Sequence, residues 1–223
     1  MSPRSAEPVD QSGRVLGSKA LQTRQRLLDA TKTLLDSRSL RELRVVEIAR
    51  KVGSSPATFY QYFRGVEEAV LALAEQAGED VPAVVEMIGG PWEGPAGLEN
   101  ARAIVDAFIR HWDENRAVLR VRNLASEEGD TRFQRVRRRT LSPVIEVLAA
   151  QVQRGIAADR VPREIHPHAA AAAMAAILER LAAYHREIEG FGMTRADLVE
   201  TCARILMQTM TGALSPAGDR PDA

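Results

Sequence analysis

Between residues 54 and 64 the chain gathers groups able to hydrogen-bond a partner: Ser54, Ser55, Thr58, Tyr60, Gln61, Tyr62 and Arg64. Such a set suits a polyanion with patterned edges. Hydroxyls and cations take phosphate oxygens, while a carboxamide can read a base edge. Thr58, Tyr60 and Tyr62 are therefore assigned to backbone positioning, and Gln61 and Ser55 to base edges. Two short helices would have to present them. Val45, Ile48, Ala49 and Val52 recur at i, i+3, i+4, i+7, one face of a helix. Gly53 ends it, and Ser54 or Ser55 with Pro56 opens the next. Phe59 and Phe63, four apart, share the inward face and plug a small core. Helix, glycine turn, short polar-aromatic helix is the pattern of a helix-turn-helix whose second helix enters the major groove. Two short helices at an angle also occur in all-α proteins with no nucleic-acid partner.

No catalytic set accompanies this stretch. His111, His166, His168 and His185 lack a third ligand at zinc-like spacing, so no metal is assigned. His168 and His185 read as surface or capping residues near helix ends. Nucleotide-binding glycine motifs and a nucleophile elbow are missing from the sequence, so no cofactor is expected and the chain is not read as an enzyme. Cys202, the single cysteine, sits on an apolar stripe and reads as packing. The basic run at residues 135–139, RVRRR, reads as a solvated face paired with Glu127, Glu128 and Asp130 rather than a second nucleic-acid patch.

With 223 residues, 45% of them hydrophobic, the chain can bury a sizeable core, and its alanine and leucine runs favour all-α structure. One cysteine permits no internal disulfide, which fits a reducing, cytoplasmic setting. No apolar run reaches the ~20 residues of a membrane span, so no membrane partner is expected. The zero net charge hides an asymmetry. Residues 1–64 carry 12 Lys and Arg against 6 Asp and Glu, and residues 65–223 carry 18 against 24. A basic head on an acidic body is the electrostatic outline of a nucleic-acid-binding domain joined to something else.

The expected organisation is a disordered arm over 1–18, a DNA-binding domain over 19–65, a helical body over 66–211 and a disordered tail over 212–223. The first helix spans 21–37. A long helix over 65–88 is interrupted at Pro82. Body helices follow over 96–114, 116–126, 130–158 with a bend at Pro143, 167–188 and 194–211. The alanine-rich helix near 169–187 invites close approach. With the helix at 195–211 it forms a face suited to a second copy, or is simply buried. Phe108 and Trp112 share a helix face, with Trp92 in the preceding loop and Asn123 between Leu119 and Leu124. This set reads either as core or as an apolar pocket with one hydrogen-bonding group.

The phrases LLxA at 27–30, EIAxxVG at 47–53, SPATFYQYF at 55–63 and EEAVL at 67–71 resemble the N-terminal DNA-binding domain of TetR-family transcriptional repressors. SSPATFYQYF is particularly similar to the EthR-like branch. Two positions depart from the family pattern: Val66 stands in place of a lysine, and Arg44 in place of a small polar cap. Arg44 and Arg64 are the replacements offered for the phosphate-binding lysine. The full DNA-binding set is Arg44, Ser54, Ser55, Ala57, Thr58, Tyr60, Gln61, Tyr62 and Arg64. The resemblance implies a homodimer formed through the last two long helices and a small apolar effector held in the body. The lining expected for it is Met87, Trp92, Ile104, Phe108, Trp112, Leu119, Asn123, Leu124, Ile145, Leu148, Met174, Ile177, Leu178 and Leu181.

The expected fold is all-α: an N-terminal three-helix helix-turn-helix domain plus a larger helical ligand-binding and dimerisation domain (about nine helices). The expected function is a DNA-binding transcriptional regulator, a repressor released from a near-palindromic double-stranded operator by an effector. The alternatives are an all-α small-molecule-binding protein or enzyme with no DNA role, and a constitutive DNA-binding module that recruits a partner.

Overall fold

A computed structural model describes residues 11–212, and the segments 1–10 and 213–223, with most of the expected arm and tail, lie outside it. Among the described residues nine α-helices follow in order: α1 (Ser18–Leu35), α2 (Val45–Lys51), α3 (Pro56–Tyr62), α4 (Val66–Ala77), α5 (Val81–Gly89), α6 (Gly94–Glu127), α7 (Thr131–Ala157), α8 (Pro167–Glu189) and α9 (Arg195–Thr211), with single 3-10 turns at Leu40–Glu42 and Gly78–Asp80. No extended strand occurs among the described residues, as the all-α expectation requires.

The chain divides into two compact units. The head comprises Met1–Ala77 and Asn115–Arg137, and the body comprises Gly78–Glu114 and Arg138–Ala223. This differs from the linear division at 65/66. Helix α4 belongs to the head, and so does a later segment whose Val118 and Phe133 enter the head's core. The expected continuous helix over 65–88 is instead α4, a 3-10 turn and α5, with Pro82 in the first turn of α5 rather than within a helix. There its missing N–H costs nothing. The helices expected over 96–114 and 116–126 are both present, as one element broken at Asn115, whose φ of −123° and ψ of 16° leave the helical region. Pro143 lies inside α7.

In the head, α1 packs on α2, α3 and α4. Leu27, Leu28, Ile48, Phe59 and Val70 are fully buried, and Phe63 nearly so. The Phe59 and Phe63 rings lie 5.4 Å apart, and the Arg24 guanidinium sits 5.1 Å from the Phe63 centroid. Seven-residue helices are too short to persist in water alone, so this shared aromatic-aliphatic core is what holds α2 and α3.

In the body, α8 packs on α9. Ion pairs bind α6 to both: Arg102 to Glu200 at 2.6 Å, Arg195 to Asp106 at 2.7 Å and Arg186 to Asp113 at 2.8 Å. Being partly exposed, these fix register more than they add stability. His185 is not the surface or capping residue expected. It is 4% exposed, with Nδ1 2.9 Å from the Ala182 carbonyl and Nε2 3.5 Å from Asp113. Helix α8 brings the histidine under α6, a placement that only tertiary packing decides.

Candidate nucleic-acid interface

The turn between α2 and α3 is built as its residue types demand. Gly53 takes φ +68°, where a Cβ would be strained. Ser55 caps α3, its hydroxyl accepting from the Thr58 N–H at 3.2 Å and lying 3.1 Å from the Thr58 hydroxyl. Both hydroxyls assigned to DNA are thus shared with the cap. Pro56 occupies the first turn.

With Phe59 turned inward, α3 leaves Ser55, Ala57, Tyr60 and Gln61 exposed, Tyr60 to 52%. Thr58 and Ser54 are half-buried, and Ser54 donates to the Ala49 carbonyl at 3.4 Å. Tyr62 is half-buried against the head's core, so it presents less outward surface than its type and spacing suggest. Arg44 is exposed and folds back along its own turn, donating to the Arg41 carbonyl at 2.8 Å. Arg64 extends into solvent with its side chain 83% exposed, 3.6 Å from Glu68. Val66 packs against the core, as an apolar residue must.

Sequence reasoning passes over two kinds of residue. Arg50 and Lys51 are exposed at the end of α2, beside the turn, where basic side chains also complement the helix dipole. Their signal is basic residues in the last turn of the first short helix. The second is Gln11, which falls in the segment expected to be a disordered arm. Its backbone N–H donates to the Gln61 carbonyl at 3.0 Å, and its carboxamide donates to the Tyr62 carbonyl at 3.1 Å and to Glu68 at 3.3 Å. The last four carbonyls of a helix have no partner within it. Gln11 donates to two of them at the end of α3, from far away in sequence.

The expected effector lining divides between the two units. Leu119, Asn123 and Leu124 belong to the head. There Leu124 is 57% exposed, and the Asn123 carbonyl accepts from the buried Arg122 at 2.9 and 3.0 Å, so its acceptor is already used. Ile177 is 43% exposed on α8. Leu124 and Ile177 are therefore not enclosed within one chain, unlike the rest of the expected lining in the body. In the body, Trp92, Ile104, Trp112, Leu148, Met174 and Leu178 are buried, and Met87, Phe108, Ile145 and Leu181 are half-buried. Trp112 stands out. Its indole nitrogen is the one buried side-chain nitrogen or oxygen among the described residues that finds no hydrogen-bond partner.

Other reactive groups stay ordinary. Burial pushes the Cys202 thiol up, which makes a thiolate scarcer. The described residues hold no group of three metal-ligating side chains, and no described helix is long and apolar enough to cross a membrane. The expected pairing of the 135–139 run is met at its edge by a neighbour. Asp130 pairs with Arg132 at 2.6 Å, just before the run, and Arg135 donates to the Thr131 carbonyl.

Two family patterns match the sequence. "Bacterial regulatory proteins, tetR family" covers residues 27–73, and "Tetracyclin repressor-like, C-terminal domain" covers residues 85–217. The chain belongs to the TetR family and is a transcriptional regulator of that family. Solved structures share the fold. Salmonella enterica GusR aligns with TM-score 0.62 at 17% identity, over 85% of this chain and 96% of that one. The Bacillus subtilis regulator FadR, solved with stearoyl-CoA, aligns with TM-score 0.61 at 15% identity, over 85% and 98%. SmeT, the repressor of the Stenotrophomonas maltophilia multidrug efflux pump SmeDEF, aligns with TM-score 0.59 at 14% identity, over 86% and 90%. No curated protein sequence matches the chain. These similarities reach the family and stop short of the EthR-like branch.

Proposed function

We propose that this regulator is a cytoplasmic repressor of the EthR-like kind that binds a near-palindromic operator as a homodimer and leaves it when a small, largely apolar effector fills the body. The observation that carries the DNA half is α3 itself, whose Tyr60 and Gln61 face outward while Phe59 locks the helix to the head. Tyr60, Thr58 and Tyr62 position the phosphate backbone, Gln61 and Ser55 read base edges, and Arg64, Arg50 and Lys51 neutralise phosphates. Two heads span half-sites about 34–36 Å apart.

The dimer reading is supported by an outer face on the α8–α9 pair that has no cover within one chain. Ile177 and Tyr184 on α8 are 43% and 40% exposed, and Ile205 on α9 is 45% exposed. The unpartnered Trp112 indole supports an effector that carries a hydrogen-bond acceptor, because a buried donor left unpaired costs ~1–3 kcal/mol. Release is a population shift, and it requires the effector to bind the released state more tightly.

Fluorescence anisotropy with DNA from the regulator's own upstream region tests the reading. Affinity should fall steeply between low and high salt, since each neutralised phosphate contributes about −0.9 to the log–log slope. The double substitution Tyr60→Ala with Gln61→Ala should abolish specific binding and leave the dimer intact. Salt-independent affinity, or a double variant that still selects the operator, would overturn it.

A further inference from the structure

The regulator reading leaves unused a cleft at the ends of α7 and α9, which lies wholly within the body. Its volume is about 290 Å³, at the small end of ligand sites. One carbonyl fixes its wall: the Ile88 oxygen accepts from Trp92 Nε1 at 2.7 Å and from Gln151 Nε2 at 2.8 Å. Gln151 is only 5% exposed, and its own oxygen accepts from Arg154 Nη1 at 3.1 Å. That relay ties the exposed Arg154 guanidinium to the cleft wall. Arg160 also lines the cleft, but Glu93 neutralises it at 2.5 Å. Among the described residues no carboxylate pairs with Arg154, whose remaining N–H donors stay available.

Two glycines let the segments beside the cleft pack closely. A Cβ on Gly155 would lie 2.6 Å from Val161 Cγ2, and one on Gly212, at φ +66°, would overlap the Arg160 carbonyl oxygen. The chain forgoes both side chains to bring the end of α7, the following loop and the end of α9 together. The lining then carries one excess positive charge beside apolar Trp92 and Met210.

We propose that this cleft binds a small monocarboxylate with an apolar body: the carboxylate sits bidentate on Arg154, and the body lies against Trp92 and Met210. Guanidinium geometry matches a carboxylate in two parallel bonds. Glu93 at the same cleft disfavours a more highly charged anion. A neutral ligand would leave Arg154 no better satisfied than water does. The site is independent of the operator reading; it shares Trp92 with the expected effector lining, and its other lining residues lie outside that set.

The chain has two tryptophans, so its ¹H–¹⁵N spectrum should show two indole cross-peaks, assigned with Trp92→Phe. 3-Phenylpropionate is the probe, and 3-phenylpropionamide is its neutral counterpart. Saturable movement of the Trp92 peak with the acid is expected, with at least tenfold weaker response to the amide and a similar loss in Arg154→Gln. Arg154→Lys should retain part of the binding, because it keeps the charge and loses the fork. Equal response to acid and amide, an Arg154→Gln titration like the parent's, a non-saturating shift, or movement of the Trp112 peak alone would overturn the proposal. None of these outcomes depends on DNA, so failure here leaves the operator reading untouched, and failure of the operator assay leaves this one untouched.

Discussion

The head and the body solve opposite problems. In the head, two seven-residue helices hold their working groups on the outside, and a few buried aromatics suffice to fix them. In the body, α8 and α9, of 23 and 17 residues, and the long stretches of α6 and α7 carry apolar stripes, and function depends on which stripes meet. Spacing of three or four residues decides which side of each short helix faces outward in the first case, and contacts between distant helices decide the second. A short motif can therefore announce a recognition helix, whereas no short motif announces a cleft.

Phe59→Ala breaks that contrast most severely. Removing a fully buried ring from the head should cost about 3–5 kcal/mol. If the head rests on its own core, a new low-temperature melting step should appear while most helical circular dichroism survives. A single transition for the whole chain would show that head and body do not stand apart. Ile177→Glu together with Ile205→Glu addresses the body. Both side chains are exposed in one chain, so folding should be unaffected, while the proposed dimer weakens by on the order of 2 kcal/mol or more. Sedimentation velocity reads this, and an unchanged dimer would move the interface elsewhere.

Gln11→Ala is gentler. It removes the carboxamide bond to the end of α3 and should weaken operator binding through helix position, by about 1 kcal/mol, while every phosphate-binding side chain stays in place. The salt slope should stay that of the parent; a shallower slope would mean Gln11 touches DNA. The smallest effect concerns Asp130, whose carboxyl is held at about 2 by the hydrogen bond from Arg132. A carboxylate depressed when folded adds stability above its unfolded value of ~3.9 and loses it as pH falls through the folded value. Between about pH 4 and 2 the parent should lose slightly more melting temperature than Asp130→Asn; parallel curves would remove the pair from the account.

Most helices were legible because apolar spacing and breakers are local. The break at residue 115, the glycine turn at 53 and the Ser55–Pro56 opening of α3 all fall where the residue types place them. Three readings of the helix-turn-helix were less so. The Ser55 hydroxyl also caps α3 and lies beside the Thr58 hydroxyl, Tyr62 turns partly inward, and Arg44 folds back on its own turn. Side-chain type and spacing show what a residue can bond, not what reaches it first.

The amino-acid sequence by itself determined the all-α class, the helix-turn-helix and its outward Tyr60 and Gln61, because a 3.6-residue period and a glycine at positive φ need only near neighbours. Tertiary structure decided the rest. Gln11 reaches the end of α3 from an N-terminal segment, and His185 is buried under α6. Asn123 and Leu124 belong to the head, and Arg154 is tied to the cleft wall by a relay through Gln151 to Ile88. Each of these depends on chain segments far apart in sequence meeting in the folded molecule. No local pattern encodes that closure, because the burial that drives it is a property of the assembled core.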